Sequence, residues 1–290
     1  KIDRLDPGDS GFSGGGQSLA HVYPKEENRT AAQLSFLRNH LDAFDRAVRG
    51  RTPTDPIRGY SRYIDVESFV DFHMLNEFTK NPDGLRLSTY MHLPRSGKLT
   101  MGPIWDFDRT LGPDDDARAA SPNGRSSVYN FSWWGRLFRV PDFNQEYTDR
   151  WQRWRESVMT QDNLFAIIDS MADELEEAQE RNFDRWNLVS ENGGWRREIQ
   201  QLKSWVERRL EWFDSEFPDR PVPSIMPGIV APGTEVGFSA DGAEIFITTD
   251  GSDPRMTGGS VSRSARQLLP DERVVIGEGV IVTARTRVEE

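Results

Sequence analysis

Apolar residues recur at helical spacing in several separate stretches of the chain. Leu34, Leu37, Leu41, Phe44 and Val48 share one face, and Thr30 with Gln33 has the spacing of a capping box at its start. Gly50, Pro53 and Pro56 then end that helix. A second helix is predicted from Asp65, its N-cap, to about Lys80, with Phe69, Phe72, His73 and Asn76 along one stripe. Trp151 and Trp154 mark a third. Leu164, Ile167, Ile168, Met171 and Leu175 mark a fourth, and Trp195, Ile199, Leu202, Val206, Leu210 and Phe213 a fifth. Between the second and third, Leu87–His92, the turn-rich Pro94-Arg-Ser-Gly97 and Lys98–Met101 read as a hairpin. Residues 7–18, rich in Gly, Ser and Asp, read as a mobile loop, and Asp114 to Ser127 as polar irregular chain in which the run Asp114-Asp115-Asp116 reads as solvated loop rather than as a cation site.

Past Pro218, Pro221 and Pro223, which read as a stiff linker, the period changes to that of strands: Glu235–Ser239, Ala243–Thr248 and Val280–Arg285. The fold class is therefore α+β, divided into residues 1–223 and a small β-sandwich over 224–290. That module is short for a complete sandwich. Both ends of the chain read as truncated: Lys1-Ile2-Asp3 resembles mid-strand sequence, and the chain stops just after a strand-like run.

Composition removes several functions. With 290 residues, nine Trp and 16 Phe, the chain holds enough apolar volume for a core. No apolar run approaches the roughly 18 residues of a membrane span. The absence of Cys excludes disulfides, zinc–thiolate sites and a thiol nucleophile, and four scattered His make no metal motif. A net charge of −11 argues against nucleic acid as a partner. The Trp residues fall at helical spacing and read as core rather than as a sugar-stacking surface. The acidic run Asp173–Glu177 reads as a solvated helix face.

Two acidic clusters flank the hairpin, Asn81-Pro82-Asp83-Gly84 before it and Trp105-Asp106-Phe107-Asp108 after it. A four-residue loop at Pro94–Gly97 would set Leu93 opposite Lys98. Extended to the open end, that register puts Asp83 opposite Asp108, with Asp106 nearby. Carboxylates about 5 Å apart repel by roughly 3 kcal/mol at an effective dielectric of about 20, so they call for a cation, a shared proton or an arginine. An all-oxygen donor set suits Mg²⁺. Ordinary turn chemistry accounts for the same residues: Asn-Pro-Asp-Gly is a turn sequence, and Asp106 has Arg109 within reach.

The segments Tyr63-Ile-Asp-Val-Glu-Ser-Phe-Val-Asp-Phe, Leu75-Asn-Glu-Phe-Thr-Lys-Asn-Pro-Asp83, Leu87-Ser-Thr-Tyr90 and Gly102-Pro-Ile-Trp-Asp-Phe-Asp108 closely resemble the CotH kinase family of spore-coat and secreted proteins. The resemblance covers roughly residues 1–220, and its specific part is 63–112. It implies the mainly helical C-terminal lobe of an atypical protein kinase, with the N-terminal lobe and its phosphate-binding Lys upstream of Lys1, so this stretch alone is expected to be catalytically incomplete. By that resemblance Asp83 and Ser88 are catalytic, Asp106 and Asp108 hold Mg²⁺ or Mn²⁺, and Asn76 and Glu77 support the nucleotide, ATP. Ser88 stands where ordinary kinases place an Asn that binds the second metal. The implied activity is transfer of the γ-phosphate to Ser or Thr of a protein, in a bacterial protein at the cell surface or outside the cell. The alternative is a non-catalytic surface adhesin or scaffold with cell-envelope partners.

The C-terminal stretch Ile245-Phe-Ile-Thr-Thr-Asp-Gly-Ser-Asp-Pro-Arg255 resembles the small β-sandwich appended to chitobiases and hexosaminidases. Such modules act as spacers or accessories, so the expected chemistry stays between Asp83 and Asp108.

Overall fold

A computed structural model describes residues 1–112, 116–187 and 193–287. The chain is a mixture of helix and sheet and divides into two compact units, Lys1–Asp214 and Ser215–Glu290. The first opens on a hairpin of β1 (Gly11–Gly14) and β2 (Gln17–Ala20), followed by α1 (Ala31–Arg49) and α2 (Val66–Phe78). A short hairpin of β3 (Met91–His92) and β4 (Thr100–Met101) comes next, then two four-residue helices, α3 (Ala117–Ala120) and α4 (Trp134–Leu137). The longer helices α5 (Pro141–Arg155), α6 (Gln161–Trp186) and α7 (Trp195–Ser215) complete it. Among the described residues no helix is long and apolar enough to cross a membrane.

The predicted capping box of α1 forms: Thr30 accepts from the Gln33 backbone and the Gln33 side chain accepts from Thr30. Leu41, Phe44 and Val48 are the residues of its stripe that become buried. Residues 7–18 depart from expectation. Gly15 and Gly16, both at positive φ, make the tight turn between β1 and β2. That turn is fixed from three sides, because Trp133 Nε1 donates to Gly15 O (2.8 Å), Gly15 N donates to Asp42 (2.7 Å), and a Cβ at Gly15 would meet Leu41 O at 2.9 Å. Glycine gives the chain its reach there, and distant partners supply the order.

α2 is the axis of this unit. Asp65 caps it by accepting from Ser68 N (2.9 Å), and residues on every side of the helix are buried. Phe69 meets Phe44 and Trp134, whose neighbour Trp133 also packs on Phe44. Trp133, Trp134, Trp151 and Trp205 are all buried, so these tryptophans are core. His73 is enclosed by Tyr129, Trp134, Phe138 and Tyr147. Its Nε2 faces Tyr129 O at 3.0 Å and its Nδ1 faces the Tyr147 hydroxyl at 3.1 Å.

One charged pair lies in this core. Glu77 and Arg209, on α2 and α7, are both 0% exposed. Arg209 donates to the carbonyls of Glu77, Phe78, Pro122 and Gly124 as well as to Glu77 Oε1. Glu77 also accepts from the backbone and hydroxyl of Ser126. Burial pushes the Glu77 carboxyl up and the Arg209 guanidinium down to about 10, so desolvation outweighs attraction for both partners.

Among its described residues the second unit holds six strands: β5 (Val222–Pro223), β6 (Glu235–Ser239), β7 (Glu244–Thr248), β8 (Arg266–Leu268), β9 (Arg273–Val275) and β10 (Thr283–Arg287). They pair antiparallel as two three-stranded sheets, β10-β7-β8 and β5-β6-β9, around Ile245, Ile247, Leu268 and Val274. The proline-rich stretch contributes the edge strand β5, where a missing N–H costs least. Asp250 accepts from Ser252 and Asp253 pairs with Arg285, so the Asp-Gly-Ser-Asp turn is closed by its own side chains.

Two expected outcomes follow from the core. Arg209→Met leaves Glu77 without its buried counter-charge and should destabilise the unit by about 3–5 kcal/mol in urea unfolding. Adding Glu77→Gln should restore part of the loss. Burial also holds His73 down at about 3, against an ordinary value of 6.5. Its stabilising contribution is therefore complete above pH 6.5 and is lost as pH falls toward 3, because only the unfolded state takes up the proton. Wild-type stability should include a loss of about 2 kcal/mol between pH 7 and pH 5 that is missing in His73→Gln.

Candidate active site

The site begins where α2 stops. Thr79 caps the helix and Lys80 turns it at φ +52°, while Lys80 N bonds Glu77 O (3.1 Å) and Asn81 N bonds Asn76 O (2.8 Å). This is a Schellman ending with Lys in the left-handed position that glycine usually fills. The turn delivers the Asn81 side chain into the interior. Its Oδ1 accepts from Asp83 N (3.1 Å) and Gly84 N (3.0 Å), and its Nδ2 donates to Asp106 O (3.1 Å). Asn81 thus joins the two acidic segments.

Two further bonds close the junction. Ser88 Oγ donates to Asp106 Oδ2 at 2.7 Å, and Leu111 N donates to Thr79 O at 2.9 Å. Lys80, Leu85, Ser88, Asp106 and Leu111 all have positive φ, five of the eight non-glycine residues that do so among the described residues. Each left-handed residue costs on the order of 1 kcal/mol, and such strain collects where a site must be held in one shape.

The hairpin register differs from the one expected. Met91 faces Met101 and His92 faces Thr100, which sets Leu93 opposite Leu99 and leaves Lys98 in the loop. A shift of one residue exchanges the faces of a strand, so Asp83 opposite Asp108 does not follow from it. The ladder ends with Gly102 N on Tyr90 O, before Pro103, which has no N–H to give. The acidic segments meet through Asn81 and Ser88 instead.

Each predicted site residue has a definite place. Asp106 is exposed, with Oδ2 held by Ser88. Asp108 is exposed two residues on. Asp83 is half-buried, and Oδ1 takes both of its arginine contacts, from Arg86 and from Arg118 at 3.6 Å. Asn76 donates back to Phe72 O (2.8 Å) and packs on Gly84, where a Cβ would sit 2.0 Å from its Oδ1. Glu77 is spent on Arg209 and Ser126. Asn76 and Glu77 thus lie in the packing beneath the loop, and any influence on a bound nucleotide passes through their neighbours.

Sequence reading missed a chain of alternating charges. Asp116 accepts Nε and Nη2 of Arg118 at 2.9 and 2.7 Å and lies 3.0 Å from Nη2 of Arg109, while Arg118 continues to Asp83 and Asp83 to Arg86. Asp116 had read as part of a solvated run. It is 5% exposed, and the Arg118 guanidinium holds its carboxyl down at about 2. Asp114 and Asp115 lie outside the described residues. Arg109 pairs with Asp116 rather than with Asp106. Only the three-residue spacing from Asp83 to Arg86 hints at one of these pairs, while that from Asp106 to Arg109 points to the wrong partner.

A groove of about 940 Å³ is walled by Leu19, Phe36, Leu37, Leu41 and Leu99, and Tyr90, Gly102 and Pro103 also line it. Tyr90 contacts the exposed Trp105, 5.9 Å between ring centroids, so the groove and the Asp106 segment share a border.

The family model described as CotH kinase protein matches residues 9–213. The chain belongs to the CotH kinase family. No curated protein and no solved structure is detectably similar to it. The match spans nearly all of the first unit, including both acidic segments and Arg209, and stops short of the second unit. This family member is kinase-like at the coarse level.

Asn81 is the simplest residue with which to test the junction. Asn81→Ala removes one donor and one doubly used acceptor from buried partners and should cost about 1–3 kcal/mol. The amides of Asp83 and Gly84 should exchange with solvent markedly faster, while those within α1 stay protected. Hydrogen exchange with thermal melts reads both.

Proposed function

We propose that this CotH family member is a Mg²⁺-dependent protein kinase that transfers the γ-phosphate of ATP to a Ser or Thr hydroxyl. The observation that carries the reading is the division of labour within each aspartate. Asp106 commits Oδ2 to Ser88, and Asp83 commits Oδ1 to arginine. Among the described residues the other oxygen of each has no side-chain partner.

The donor set fits the ion. No group of three or more His, Cys, Asp or Glu among the described residues forms a metal site. Mg²⁺ in phosphoryl-transfer sites typically uses one or two carboxylates and fills its shell with water and phosphate. Asp106, with Asp108 beside it, supplies that number. The ion, when bound, neutralises charge on the phosphates and orients them. Ser88 holds Asp106 in its strained backbone geometry, so the free oxygen is already aimed when the ion arrives. Asp83 orients the acceptor hydroxyl and takes its proton through Oδ2. The groove bordering Tyr90 accommodates an apolar, planar base. A site outside the cell or at its surface, with the second unit as an accessory module, goes with this reading on family resemblance.

Titration calorimetry with Mg²⁺ and ATP, paired with a transfer assay on a general Ser/Thr acceptor, tests the assignment. Asp106→Ala should abolish Mg²⁺-dependent nucleotide binding. Asp83→Asn should leave binding within a few-fold and lower turnover by about 10²–10⁴-fold. The assay is made on the protein extended upstream to include the N-terminal lobe, and a wild type of that length that neither binds Mg²⁺-ATP nor transfers phosphate would favour the non-catalytic surface-binding protein.

A further inference from the structure

Phosphoryl transfer needs positive charge on the phosphate beyond the metal, supplied by Lys or Arg. Within residues 1–290 the kinase reading so far assigns none, since the resemblance sets its phosphate-binding Lys upstream of Lys1. Two arginines meet at the border of the site in an arrangement that salt-bridge stability alone does not require.

Arg109 and Arg118 share one buried carboxylate, Asp116. Arg118 grips it with two parallel bonds, leaving Nη1 at 3.6 Å from Asp83 Oδ1, which is too long for a good hydrogen bond. Arg109 reaches it through Nη2 alone and makes no other hydrogen bond or ion pair among the described residues. A guanidinium has five N–H donors, so most of those on Arg109 are uncommitted. The two side chains remain 42% and 39% exposed although their shared partner is buried. Counting the whole chain of charges, Arg86, Arg109 and Arg118 against Asp83 and Asp116, the balance is +1 in a protein whose total is −11.

The position of the pair selects its ligand. Arg109 follows Asp106, the candidate metal ligand, by three residues, and Arg118 touches Asp83, the candidate acceptor-side acid. A group in contact with both arginines lies between the metal side and the acceptor side, where the phosphate in transit must be. We propose that Arg109 and Arg118, fixed by Asp116, form a fork that binds the terminal phosphate of the nucleoside triphosphate. This rests on the kinase reading and adds to it the phosphate-side cation. Asp116 remains ionised throughout the neutral range, so the fork keeps its geometry there.

Equilibrium binding of Mg²⁺-ATP, Mg²⁺-ADP and AMP to the whole chain, compared across variants, decides the matter without an activity assay. Wild type should bind ATP at least tenfold more tightly than ADP. Arg109→Gln and Arg118→Gln should each weaken ATP binding by about 10-fold or more while leaving ADP and AMP within about twofold. Arg109→Lys keeps the charge without the planar fork and should fall between them, which also covers a Gln variant that folds poorly. An unchanged ATP-to-ADP ratio in folded variants, with only the melting temperature lowered, would overturn the fork and leave the pair as a structural clamp. A wild type extended to include the N-terminal lobe that binds none of the three nucleotides would instead remove the kinase reading itself.

Discussion

The arrangement of the first unit depends on a buried arginine. Arg209 brings a positive side chain from α7 to the C-terminal end of α2, where carbonyls face away from the helix's own N–H groups. It satisfies those of Glu77 and Phe78, then those of Pro122 and Gly124 in the distant loop, and meets the Glu77 carboxylate last. Each ion is taken out of water at a cost that their attraction does not recover alone. The four carbonyls make up the difference, and with them the pair gives one answer to where α2 ends and which loops lie against it.

Everything chemical in the chain hangs from that end. Lys80 reverses the backbone one residue after the cap, Asn81 turns inward, and its amide takes hold of the Asp83 loop with one atom and the Asp106 segment with the other. Gly84 lets the loop lie directly on Asn76, and Gly112 itself lies against Trp205, where a Cβ would come within 2.3 Å of the ring. The candidate acids are thus exposed or half-buried side chains on a backbone held by internal bonds. That is the arrangement by which strained geometry persists at a site.

The helices were legible because their signals are local. The Thr30–Gln33 box, the Asp65 cap and the apolar stripe of α1 need only neighbouring residues to be read. The acidic segments were legible through resemblance and through the chemistry of carboxylates near one another. What escaped was set by distant partners. The Gly-rich start looks like loose chain until Trp133 and Asp42 are seen to hold it. Asp116 looks like one acid in a solvated run until two arginines close on it. The hairpin register turned on a single residue, Lys98, whose place in the loop or the strand the local sequence leaves balanced.

That slip in register reveals where the chain tolerates variation. Asp83 and Asp106 are brought together by an asparagine at the root of the hairpin, and no bond in that junction runs through residues 94–98. The hairpin is therefore a spur rather than a strut. Its tip is a place where evolution can lengthen or trim the chain, or where a label can be attached, while the acids at its base keep their spacing.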